Sequence, residues 1–156
     1  MSLLSHIVLA QASHGGLLLE HPPERGWPHV ALRGLSDQHL LALFAVLLPP
    51  GAARDMDEAE GFAHIEASEP GNPAGPWVMR LPDDLVALLA GLDAAAMAQA
   101  VTRWRRSAMP PPPEVWPVDA LAGLLAELQP MAQLANAAQG ARTGDSPQLF
   151  LRIETP

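Results

Sequence analysis

Apolar positions along this chain follow two patterns: short runs with strand character, and leucine-rich stretches with helical spacing interleaved with them. Leu3, Leu4, Ile7, Val8, Leu9 and Ala10 form the first run. It has no positively charged flank, and Ser5 and His6 interrupt it, so it reads as a strand rather than a secretion signal. Gly15 and Gly16 follow, then an apolar run from Leu17 to Leu19, a Pro-rich loop from His21 to Pro28, and a second expected strand, His29 to Arg33. A hairpin or meander is the simplest arrangement of these pieces.

Ser36 offers an N-cap oxygen and Asp37 a charge that suits the helix dipole. Leu40, Leu41, Leu43, Phe44, Leu47 and Leu48 then supply a helix that Pro49 ends. Gly51 to Glu60 is polar and acidic, Phe62 to Ala67 resumes an extended pattern, and Pro70 to Pro76 is a Gly/Pro-rich loop. Trp77 to Leu81 reads as a strand, and Pro82, Asp83 and Asp84 open a helix with a stripe of Leu85, Leu88, Leu89 and Leu92. After Gly91, Asp93 caps a further helix in which Met97, Ala100, Val101 and Trp104 recur. Leu88, Leu125 and Trp104 are thereby expected to join the C-terminal helices, with Ala at 88 or 125 costing about 2 to 5 kcal/mol.

Pro110 to Pro113 favour a stiff polyproline segment leading to Trp116 and Pro117. The last helical region runs from Pro117 to Gln139 with Leu121, Leu124, Leu125, Leu128 and Leu134 on its apolar side and Gly140 as its C-terminal cap. Pro130 removes a backbone donor inside it, so a kink or break is expected. Leu149, Leu151 and Ile153 alternate with Phe150 and Arg152 as a terminal strand. These elements predict an α+β fold, a mostly antiparallel sheet of four to six short strands covered by three or four helices. A chain of 156 residues is expected to be one domain, 1–156, around one core.

Pro76-Trp77-Val78-Met79-Arg80-Leu81-Pro82-Asp83-Asp84-Leu85, with Asp93, Trp104, Trp116 and the closing Leu149-Phe150-Leu151, resembles a group of small bacterial proteins of unknown function. The resemblance covers residues 76 to 153 and rests on structural positions, so it implies a strand, three helices and a terminal strand but assigns no functional residue. The proline run at 110–113 and Pro130 depart from that pattern.

Composition narrows the chemistry. The chain has no cysteine, lysine or tyrosine, which removes thiolate and Schiff-base catalysis, Cys-ligated zinc and the lysine-bearing phosphate loop. Seventeen acids against nine arginines give a net charge of −8, which disfavours nucleic acid and anionic lipid as partners. No stretch reaches the roughly 20 apolar residues needed to cross a bilayer, and the expected location is the cytoplasm.

All six histidines lie within the first 64 residues. His14 and His21 flank a loop, His29 follows it, and Glu60 and His64 stand near Asp55, Asp57 and Glu58. Imidazole with carboxylate suits zinc, iron or nickel, but no tight pair on one helix is present, so no metal ligand and no cofactor is assigned. The serines lie in no Gly-x-Ser-x-Gly elbow, and no catalytic residue is assigned. Asp55-x-Asp57 begins like a calcium loop that the following residues do not complete.

Two charged patches remain as candidate partner-binding residues: Asp55, Asp57, Glu58 and Glu60, and the arginines of Arg103-Trp104-Arg105-Arg106. The expected function is non-enzymatic recognition of a protein partner, of an immunity-like or regulatory adaptor kind. The alternative is a small hydrolase or metal-dependent enzyme built on the N-terminal histidines with Glu60 or Asp57. Convergence of His14, His21, His29 or His64 with a carboxylate in one cleft marks the enzyme, whereas dispersed histidines and an exposed aromatic patch mark the binder. Trp27, Trp77 and Trp116 are the aromatic candidates for such a patch.

Overall fold

In the computed structural model, residues 4–14, 16–20, 27–48, 65–68, 76–106, 119–141 and 146–154 are described. Five strands form one antiparallel sheet: β1 (Leu4–Gln11), β2 (His29–Ala31), β3 (Ile65–Ser68), β4 (Trp77–Arg80) and β5 (Pro147–Glu154), in the order β2-β1-β5-β4-β3. The helices are α1 (Leu17–Glu20), α2 (Asp37–Leu47), α3 (Asp83–Ala90), α4 (Ala94–Arg106) and α5 (Ala120–Ala141). The fold is therefore α+β, as the alternation of patterns predicts.

β5 closes the sheet. Although last in the sequence, it lies between β1 and β4, pairing Ile7 with Leu151 on one side and Met79 with Leu151 on the other. Because successive strand residues face opposite ways, Leu149, Leu151 and Ile153 line one face with Ile7, Leu9 and Val30, and α2 to α5 pack there. The other face carries Val8, Ala10, Val78 and Phe150, over which α1 places Leu18. Both rows of β5 are thus buried, which a half-buried edge strand would not show.

Local signals explain where the helices begin. Asp93 Oδ1 accepts from Ala96 N at 2.7 Å, an ordinary cap for α4. Pro82 stands at the N-cap of α3 with φ −61° and ψ 143°, with Asp83 and Asp84 in the first positive turn. At α2, the Ser36 N–H donates to Nδ1 of His39 at 3.0 Å, so an imidazole fills the role that glutamate or glutamine takes in a capping box. Between β2 and α2 the chain turns at Gly34, whose φ of 87° favours glycine, while Leu35 N donates to Leu32 O at 3.2 Å.

The apolar run Leu17 to Leu19, left without an element by the sequence pattern, lies in α1, with Leu18 buried and Leu17 exposed. Several expectations are corrected. In α3 the core residues are Leu85, Val86 and Leu89, while Leu88 is half-buried and outside the core, because the buried face is turned toward Val86 and away from Leu88, with Leu85 and Leu89 inward as expected. Leu134 is 60% exposed and points away from the apolar side assigned to it.

Pro130 does not break α5, which also runs through Gly140. The proline lies on the exposed side, where its ring meets solvent and the Ala126 carbonyl it leaves without an intrahelical donor is not forced into the core. One residue earlier, Gln129 Nε2 donates to Leu89 O at 3.2 Å and also to Leu92 O, and Gln133 Nε2 reaches Ala90 O at 3.4 Å. Helix α5 thereby supplies donors to carbonyls at the end of α3 and just beyond it, adding to the turn bond from Leu92 N to Leu89 O at 3.4 Å.

Candidate functional site

Two places gather chemistry among the described residues: the C-terminal end of α4, and the sheet face that α1 covers. At the first, rotation of the helix is set by Trp104. Its side chain is fully buried, and Nε1 donates to the His39 carbonyl of α2 at 2.9 Å across a separation of 65 positions. A tryptophan N–H buried in this way needs such a partner. With about 100° per residue, Arg103 and Arg105 then lie to either side of Trp104 and Arg106 nearly opposite it. All three arginines are exposed, and none is hydrogen-bonded or ion-paired among the described residues.

Part of this arrangement suits the helix itself, since cations near a C-terminus complement the dipole. The dipole does not need three of them in four positions, and Arg103 and Arg106, three apart on one side, repel each other. The second expected patch, Asp55, Asp57, Glu58 and Glu60, lies outside the described residues.

On the covered sheet face, the register sets His6 of β1 opposite both Ala31 of β2 and Arg152 of β5. The rings of His6 and His29 meet edge to face at 5.8 Å, and His29 Nδ1 stands 3.0 Å from Trp27 O. Arg152 is only 4% exposed; Nε donates to Leu18 O at 2.7 Å, and Nη1 is 3.1 Å from Glu154 Oε2. Its charge is therefore committed to holding α1 on the sheet. His14 contacts Trp27 at 6.3 Å, whereas His21, Glu60 and His64 lie outside the described residues. Among the described residues, no three His, Asp or Glu side chains form a group able to hold a metal ion.

One serine does meet a histidine. Ser36 Oγ lies 2.8 Å from His39 Nδ1, within the range of a nucleophile and its base. The same nitrogen accepts the Ser36 backbone N–H, which occupies its lone pair and requires the imidazole to be neutral with its proton on Nε2. In catalytic triads the nitrogen facing the serine is free to take the hydroxyl proton. Here it is engaged in capping the start of α2. Ser5 is likewise committed: it is buried, and its hydroxyl donates to Leu35 O.

Sequence spacing made the arginine cluster visible because its members are contiguous. It missed His6 and Arg152, which only the β1–β5 register sets opposite each other, and the pairing of Arg152 with Glu154 two residues on along β5. The alternation of Arg152 with Leu151 and Ile153 was the available signal, but it suggests an outward-facing arginine. The described tryptophans form no exposed patch: Trp104 is buried, and Trp27 and Trp77 are half-buried; Trp116 lies outside the described residues. No family model, curated protein or solved structure matches this chain.

Proposed function

We propose that this protein is a non-enzymatic, partner-binding module of an immunity-like or regulatory adaptor kind, using charged surface to capture a protein. The supporting observation is the exposed set Arg103, Arg105 and Arg106, without ion pairs among the described residues, on a helix whose orientation is set by buried Trp104. Guanidinium groups presented on a rigid helix lose less freedom on pairing with carboxylates than the same groups on a loop. In a chain of net charge −8 this cluster suits an acidic surface, and the run Asp55 to Glu60 suits a basic one. The commitment of Ser36, His39, Ser5 and Arg152 to structural bonds supports the binding reading over the hydrolytic one.

The test begins with a pull-down from the native host and measures association kinetics with the recovered protein. Two variants are compared: Arg103, Arg105 and Arg106 changed to Glu, and Asp55, Asp57, Glu58 and Glu60 changed to Arg. Each lowers the association rate, the acidic-segment variant more, and added salt weakens wild-type association. Unchanged rates for both folded variants at low salt would remove electrostatic capture as the mechanism.

A further inference from the structure

At the start of α2 a histidine stands where a capping box ordinarily places glutamate or glutamine. His39 is 2% exposed, and its Nδ1 accepts the Ser36 N–H at 3.0 Å. A glutamine oxygen accepts such a bond at any pH, whereas an imidazole accepts it only while Nδ1 carries no proton. The same residue also ties down α4, because its carbonyl accepts Trp104 Nε1–H at 2.9 Å. One residue thus joins the cap of α2 to the helix that presents Arg103, Arg105 and Arg106.

We infer that His39 is an acid-sensitive switch at the joint of α2 and α4: a proton taken up on Nδ1 undoes the cap, loosens Trp104 and ends the fixed presentation of the arginines. Three effects oppose that proton in the folded chain. Nδ1–H faces the Ser36 N–H, donor against donor. The Ser36 hydroxyl, 2.8 Å away, can accept the new hydrogen, but the Ser36 N–H then loses its acceptor. The imidazolium sits in the first turn of a helix, at the positive end of its dipole. Burial penalises the charged form as well.

Charges of both signs surround the joint. Asp37 lies two positions before His39 on α2, a spacing at which side chains do not face each other, and Arg33 stands in the preceding turn. Of the helices packed on α2, α3 carries Asp83 and Asp84 in its first turn, and α4 carries Arg103, Arg105 and Arg106 in its last. With both signs present, the opposed donors and the dipole decide the balance. In the unfolded chain an imidazole takes up its proton at about pH 6.5. Just below that pH the unfolded state binds more protons than the folded state, so the stability contributed by the cap is present above it and is lost as pH falls. The inference rests on the proposed function for one consequence, that acid weakens capture of a carboxylate-bearing partner by the arginines.

The test compares the wild type with His39→Gln, which gives α2 a capping box that does not titrate. Urea unfolding is measured at about pH 7.5 and about pH 5.5, on either side of the imidazole range. Between them the unfolding equilibrium constant of the wild type rises at least about tenfold more than that of His39→Gln. At the lower pH, hydrogen exchange at the Trp104 indole N–H is faster in the wild type than in the variant. The other five histidines are common to both proteins, so the difference belongs to His39. Nitrogen chemical shifts of the wild-type imidazole need no variant, and they place the proton on Nε2 at neutral pH. Equal acid losses in the two proteins, or a proton on Nδ1 of His39 at neutral pH, overturns the inference. The cap is read in the free protein, so arginine variants that bind a partner unchanged remove the proposed function and leave this result standing.

Discussion

Leu88 and Leu89 are adjacent, chemically identical and on one helix, so their comparison isolates the rotation of α3. Leu89 is 2% exposed and belongs to the core with Leu85, Val86, Leu125 and Leu128. Leu88 is half-buried and lies outside that core. Leu→Ala removes three carbons, worth about 2.4 kcal/mol of transfer free energy at roughly 0.8 per carbon. At Leu89 a cavity adds to this, because α5 is held close to the end of α3 by Gln129 and cannot collapse fully. The total expected is about 3 to 5 kcal/mol. At Leu88 solvent already reaches the side chain and no core cavity opens, so the cost is about 1 kcal/mol or less. Urea unfolding of the wild type, Leu88→Ala and Leu89→Ala measures both, with a common slope showing that midpoint shifts report stability. Equal losses at the two sites would refute the observed rotation and restore the leucine-only stripe. Leu125→Ala, at 1% exposure on the facing helix, should behave like Leu89→Ala.

Two further outcomes follow from the covered sheet face and from the chemistry of the chain. Arg152→Ala is expected to cost about 2 to 4 kcal/mol, combining a lost hydrogen bond from a charged donor with a cavity; the pair with partly exposed Glu154 contributes little. Arg152→Met restores packing but not the bond to Leu18 O, so hydrogen exchange at Leu17 to Glu20 accelerates in both variants, and unchanged exchange in the Met variant shows that the bond is not what holds α1. Thermal unfolding of untagged protein is expected to coincide with and without a strong chelator; a large chelator-induced drop with stoichiometric zinc or nickel by elemental analysis would revive the metal-dependent alternative.

What the sequence determined by itself was mainly local. Ser36, Pro82 and Asp93 mark helix starts because capping involves groups within a few residues, and the clustering of Arg103, Arg105 and Arg106 is contiguous. The alternation in residues 147–154 identifies a strand for the same reason. Tertiary structure decided which strands are neighbours, and with that the burial of both faces of β5 and the placing of His6 opposite Arg152 in the register. It also decided the rotation of α3: Leu85, Val86, Leu88 and Leu89 are all apolar, so periodicity permits more than one buried face, and packing against α5 selects among them. Pro130 shows the same division. Its missing N–H is encoded in the chain, but its position on the outer side of α5 lets the helix continue, because the costly consequences of proline fall in solvent rather than in the core.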